Sequence, residues 1–186
     1  MDWLRSFSTL LEVAGLPAVV IGGHARNFWA EPRTTFDFDF TVAADPIPFR
    51  RVVDDLIARG YEITRNQEPN APSGPDFVEM THPDGTVVEF QAAKTPFQEE
   101  MLTRGKPIEK GQVLLVATPE DVLVMKLIAN RRKDHRDLLD LGARPDIDWE
   151  YVERWCEIWD LSHRLRDLRA DLNQQDAQTR ELYRDP

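Results

Sequence analysis

Two carboxylates alternate with three phenylalanines in Thr35-Phe36-Asp37-Phe38-Asp39-Phe40. On a β-strand, side chains two apart share a face, so Asp37 and Asp39 project together, roughly 7 Å apart along the strand. The phenylalanines take the opposite face and are expected to bury there. Two like charges on one face repel, and a cation, a basic side chain or a raised pKa must relieve them. Paired hard oxygen ligands on rigid backbone suit a divalent ion such as Mg²⁺. A solvent-facing edge strand would explain the pair without any chemistry. The flanking phenylalanines and Val20-Ile21 favour a central strand instead.

Other residues supply what a phosphate-handling site would need. Gly22-Gly23 falls between an apolar run, Ala18-Val19-Val20-Ile21, and a helix-like segment from His24 to Ala30. A glycine turn at a helix start offers backbone N–H groups to an anion and lets a phosphate come close. Glu89 is a lone acid in the apolar stretch Val87-Val88-Glu89-Phe90. Beside the acidic strand it would complete a three-carboxylate cluster for two metal ions; otherwise it is an acid on the open face of a hairpin. Lys126 is the only charged residue between Asp121 and Arg131. A buried lysine needs an anionic partner, either a triphosphate or a structural acid such as Asp134 or Asp137. Arg33, just before the acidic strand, is a further phosphate-binding candidate. His24 could reach a substrate from its helix start, or serve as a local hydrogen-bonding residue.

These residues must be positioned by a mixed α/β core followed by a helical carboxy-terminal part. Helices are expected over 3–15, 24–30, 49–57 and 96–104, and strands over 18–21, 36–42, 61–64, 77–81, 86–92 and 113–117. Asp84-Gly85 marks a hairpin between the strands at 77–81 and 86–92. Asn66 to Pro75, with three prolines and a glycine, is the expected mobile loop. Thr118-Pro119-Glu120-Asp121 opens a helix running to about Asn130, and a second helix covers 133–141. Asp148 opens a helix with Trp149, Trp155 and Trp159 on one side, and Leu161, Leu165, Leu168 and Leu172 line the last helix. The boundaries expected are a core over 1–117, a helical subdomain over 118–175 and a flexible tail over 176–186, with polar fraying from about Asn173.

The 186 residues carry a formal net charge of −10, which argues against a non-specific nucleic-acid binder. The one concentrated basic patch is 131–136, where Lys133/Asp137 and Arg136/Asp140 are also spaced for salt bridges along a helix. Cys156 is the only cysteine, so neither an intrachain disulfide nor a cysteine-rich metal site is expected. No signal-peptide pattern and no membrane-length apolar run is visible, so a cytoplasmic protein without membrane contact is expected.

Val20-Ile21-Gly22-Gly23-His24-Ala25, followed by Pro32-Arg33-Thr34-Thr35-Phe36-Asp37-Phe38-Asp39-Phe40, resembles the signature of the DNA polymerase β-like nucleotidyltransferase superfamily. The nearest likeness is to the bacterial minimal nucleotidyltransferases: toxins of abortive-infection and toxin–antitoxin systems, and small aminoglycoside and lincosamide nucleotidyltransferases. Thr118-Pro119-Glu120-Asp121, Lys126-Leu127, Arg132-Lys133-Asp134 and Asp137-Leu138 are similar to the helical segment after the core in the toxin-like branch. The resemblance implies an α/β (α+β) fold, a small mixed β-sheet nucleotidyltransferase core flanked by helices. It implies Mg²⁺ (or Mn²⁺) held by Asp37 and Asp39, with Glu89 matching the third carboxylate only loosely.

By the same resemblance, Gly22 and Gly23 seat the triphosphate of an NTP and Lys126 contacts phosphate. Asp137 matches a late acidic position, and His24, Arg33 and Thr35 complete the nucleotide-binding candidates. Gly23 stands where serine is commoner, which removes one hydroxyl contact. The implied activity moves NMP from an NTP to an acceptor: tRNA or other RNA, a protein, or a small cationic molecule. The alternative is a non-catalytic module of the same fold, an antitoxin or scaffold, whose 148–172 helices bind a partner or a second copy.

Overall fold

Alternating burial builds the sheet. In the computed structural model, which describes residues 2–67, 76–108 and 114–182, β5 (Val87–Ala93) buries Val88, Phe90 and Ala92 while Val87, Glu89 and Gln91 stay half-exposed. β4 (Phe77–Thr81) repeats the pattern, burying Val78 and Met80. The two pair antiparallel, and Gly85 turns the connection at φ +90°, so the expected Asp-Gly hairpin forms. The apolar run at 18–20 becomes β1 (Ala18–Val20), buried at every position.

The acidic stretch is β2 (Asp37–Ala43). It starts one residue later than the alternation predicts, and Phe36 lies outside it at 77% exposure, so only Phe38 and Phe40 take the inner face. With β3 (Glu62–Gln67), β6 (Lys106–Pro107) and β7 (Leu115–Val116), the sheet order is β3-β4-β5-β2-β1-β7-β6. β2 is therefore central, not an edge strand. It pairs parallel to β5 and antiparallel to β1. β1 and β7 are also parallel, so the sheet is mixed, as expected. Residues 68–75 of the expected mobile loop and Val113 lie outside the described residues; Asn66 and Gln67 belong to β3.

Helices α1 (Asp2–Ala14), α3 (Pro46–Ala58) and α4 (Pro96–Arg104) cover this sheet. Phe7 of α1 meets Phe38 and Phe40 at ring distances of 5.5 and 5.2 Å, and Phe40 stacks on Phe90 at 5.3 Å. α3 starts at an Asp45 cap with proline in its first turn, and α4 has a full Thr95/Gln98 capping box. Helix α2 (Gly22–Trp29) follows β1 directly.

By its internal contacts the chain divides into two compact units, Met1–Phe28 with Pro32–Thr118, and Trp29–Glu31 with the stretch from Pro119 onward. The second unit is helical: α5 (Pro119–Ala129), a 3₁₀ turn at Arg132–Asp134, α6 (His135–Gly142), α7 (Trp149–Ile158) and α8 (Ser162–Leu182). Asp148 caps α7 through the Tyr151 N–H. Trp155 is buried, but Trp159 lies past the helix end and is 38% exposed, so the expected tryptophan face is only partly core. Leu161, Leu165 and Leu168 are buried within this unit. α8 continues past Asn173 to Leu182, as a stretch free of glycine and proline allows. Among the described residues, no helix is long and apolar enough to cross a membrane.

Candidate active site

The central pair of parallel strands sets the acidic residues in register. Asp39 stands opposite Glu89, and Asp37 stands opposite Val87. By strand alternation Asp37, Asp39 and Glu89 therefore share one sheet face. Asp37 is exposed, while Asp39 and Glu89 are half-buried. The strand carrying Glu89 does lie beside the acidic strand, the arrangement in which a third carboxylate is available. Among the described residues, no three acidic, histidine or cysteine side chains converge into a ready metal cluster. What register provides is a row of oxygen donors, the atom type a divalent ion takes, on adjacent strands and not gathered around one point.

The glycine turn abuts that row. Gly22 opens α2 at φ +63°, a conformation L side chains resist. A Cβ on Gly22 would sit 1.9 Å from Asp39 Oδ2, so the carboxylate occupies the space a side chain would fill. A Cβ on Gly23 would lie 2.3 Å from Thr35 Oγ1, which brings Thr35 onto the same turn. The β1–α2 corner is pinned by the Ile21 N–H donating to the Asp39 carbonyl at 2.9 Å, and the Ala25 N–H bonds back to Ile21 at 3.2 Å. The N–H groups at the start of α2 lie beyond the reach of intrahelical acceptors, and the Asp39 carboxylate stands against this helix start. Asn27 clamps the lead-in: its amide donates to the Arg33 carbonyl at 2.6 Å and its Oδ1 accepts from the Arg33 N–H at 3.1 Å. Arg33 itself is exposed.

His24 is placed differently from a substrate-facing residue. Its ring stacks on Phe38 at 4.7 Å and 7°, and it meets Trp3 at 4.5 Å. Phe38 belongs to the face opposite the carboxylates. Burial lowers the His24 pKa, and the charge of Asp37 only partly restores it.

Lys126 and Asp137 lie in the second unit. Lys126 Nζ donates to Asp134 Oδ1 at 2.8 Å and to Asp137 Oδ2 at 2.6 Å, with all three side chains buried. The structural acid is thus the partner this lysine has. Arg131 adds a 2.8 Å pair to Asp134, and Arg136 pairs with Asp140 at 2.8 Å. Burial opposes ionisation of Asp134, but the bonds from Lys126 and Arg131 outweigh it and hold the carboxyl below the usual range. The spacing that suggested Lys133 for Asp137 is overridden, because Asp137 is fully buried and turns to Lys126.

Three residues escaped the sequence reading. Arg26 is only 2% exposed, one turn into α2, with Nη1 bonded to Asn27 Oδ1 at 3.3 Å. Thr41 extends the Asp37/Asp39 alternation on the same face, fully buried, and that alternation was the available signal. Glu79 stands opposite Glu89 on β4 and bonds Thr64 at 2.8 Å and Arg65 at 3.3 Å. It becomes visible only when the hairpin register is known.

The family described as "Nucleotidyltransferase of unknown function (DUF6036)" matches residues 8–180. The chain is similar in structure to the lincosamide antibiotic adenylyltransferase LnuA in its lincomycin-bound form, at a TM-score of 0.56 and 16% identity, over 75% of this chain and 94% of that one. It is also similar to an antigenic nucleotidyltransferase-like protein from Paracoccidioides brasiliensis, at 0.51 and 17%, over 90% of this chain and 89% of that one. At these identities the likeness is one of fold. No curated protein matches the chain.

Proposed function

Since the chain belongs to the DUF6036 family of nucleotidyltransferases, we propose that it moves a nucleoside monophosphate from an NTP to a hydroxyl of a small cationic acceptor, with Asp37, Asp39 and Glu89 as its acidic centre. The observation that carries this reading is the register of Asp39 against Glu89, with Asp37 on the same face and the glycine turn against Asp39. The acceptor oxygen forms a bond to the α-phosphorus. The bond from that phosphorus to the bridging oxygen breaks, and pyrophosphate leaves with the electron pair. Half-buried Glu89 takes the hydroxyl proton on its carboxylate. Backbone N–H groups at the start of α2 hold the triphosphate, and Arg33 and Thr35 flank it.

Mg²⁺ (or Mn²⁺) held by the three carboxylates would lower the acceptor's pKa and neutralise charge on the phosphates. The remaining rate comes from positioning and electrostatics, as in other phosphoryl transfers. A cationic acceptor is favoured over tRNA by the net charge of −10 and by the pairing of Arg131 and Arg136 with acids of their own helical segment. That pairing leaves less free positive charge to meet a polyanionic backbone. LnuA, named for transfer to lincosamides, offers a parallel in acceptor size.

The test incubates the purified chain with each α-³²P-labelled NTP and Mg²⁺, adding in parallel an aminoglycoside and lincosamide panel or total tRNA. Label is expected on a small cationic acceptor and absent when Asp37 and Asp39 are both alanine. Full transfer by that double variant would overturn the site, and label on tRNA alone would overturn the acceptor class.

A further inference from the structure

The far side of the central strand opens into a cavity that the transfer reaction does not use. Phe38 alternates with Asp37 and Asp39, so its ring emerges on the opposite face. There it meets Trp3 of α1 at 4.5 Å. A cavity of about 210 Å³ lies at this point, lined by Trp3, Phe38, Tyr61, Arg59 and Thr86 among others. It shares Trp3 and Arg59 with an adjoining open cleft of about 620 Å³ that Arg5 also lines.

The lining selects a ligand class. Four aromatic rings, those of Trp3, Phe7, Phe38 and Tyr61, favour a flat apolar body, which can stack against them or meet them edge-on. The charged liners are both arginines, and among the described residues no carboxylate lines either space. In a chain of net charge −10, that local sign points to an anion. Arg59 uses Nε to pair with Asp55 at 2.6 Å. Its two Nη amines are not part of that pair, and a guanidinium can donate to a second carboxylate through them. The volume falls below the roughly 300 Å³ at which drug-sized pockets begin, which limits the occupant to one or two fused rings.

We propose that this cavity binds a small planar aromatic carboxylate, its ring among Trp3, Phe38 and Tyr61 and its charge on Arg59, and that occupancy changes the affinity for nucleotide. The second clause rests on the proposed function. Two contacts carry the coupling. Phe38 lies between Asp37 and Asp39 in one strand, so a ligand that displaces the backbone at Phe38 displaces both acids. His24, stacked on Phe38 and touching Trp3, is the third residue of α2, beside the glycine turn.

The test is calorimetry on the full chain with indole-3-acetate as probe and its neutral isostere, indole-3-acetamide, as charge control. Saturable binding near or below about 1 mM is expected. It should weaken about tenfold or more for the acetamide and for Arg59→Gln, and further for Trp3→Phe. Absence of binding, or equal affinity in Arg59→Gln and the unaltered chain, would overturn the site. A second titration measures Mg²⁺–ATP affinity with and without saturating indole-3-acetate. A change of threefold or more is expected, with the reciprocal change in indole-3-acetate affinity that linkage demands. An unchanged nucleotide affinity would overturn the coupling. The first titration needs no nucleotide, so failure of the transfer reading leaves its result intact.

Discussion

The carboxylate of Asp39 fills the space where Gly22 would carry a side chain: a Cβ there would lie 1.9 Å from Oδ2. Gly22 also sits at φ +63°. Gly22→Ala should therefore lose about 1–2 kcal/mol of stability from backbone conformation. It should lose far more in transfer, on the order of 10²-fold, because Asp39 must swing aside. Gly15 provides the control, with φ +69° and nothing within 4 Å of its added Cβ. Gly15→Ala should show the same loss in urea unfolding with transfer unchanged. Equal activity in the two variants would sink the argument.

Asp39 and Glu89 face each other directly on neighbouring strands, and like charges so placed cost stability. Asp39→Asn and Glu89→Gln should each abolish labelled NMP transfer while leaving stability unchanged or raised by up to about 1 kcal/mol. A variant that is inactive because it is unfolded would give the opposite stability result by circular dichroism melting.

Lys126 is enclosed with Asp134 and Asp137. Lys126→Met takes the shared cation from two buried carboxylates, leaving Asp134 its Arg131 pair, and should cost about 3–5 kcal/mol in urea unfolding. Adding Asp134→Asn and Asp137→Asn should recover much of that loss. A lysine held only for substrate would show no such cost and no such recovery.

His24 has a pKa lowered by burial and partly restored by Asp37. The folded protein thus binds this proton less readily than the unfolded chain, whose value is near 6.5. The stability His24 contributes is complete above about pH 6.5 and is lost as pH falls through its lower folded value. Melting temperatures should decline over that window, and His24→Phe should flatten the decline. In an NMR titration of the imidazole, Asp37→Asn should lower the His24 pKa further; a rise would refute the assigned cause.

Much of the local architecture was legible in the chain. Period-two alternation identified β2, and Asp84-Gly85 between two apolar stretches identified the β4–β5 hairpin, because side-chain spacing and φ preference are local properties. The Gly22-Gly23 turn and the Asp37/Asp39 pair were legible for the same reason. Lys126 was recognised as needing an anion, since its helix has no broad polar face. Asp134 and Asp137 were legible as its possible structural partners, and the fold of the chain back through α6 gave it both, although Lys133 also lies at pairing spacing along the chain from Asp137.

The sequence by itself determined that two carboxylates share a strand face and that a glycine turn precedes them. Only tertiary structure decided that Glu89 is the acid opposite Asp39, that Glu79 continues the row, that His24 turns to Phe38 and away from the carboxylate face, and that Phe36 is left in solvent. The reason is one of range. Alternation and turn chemistry act over a few residues, whereas strand order and register are set by burying Phe40, Phe90 and their neighbours in one core, a collective choice among pairings that no short stretch encodes.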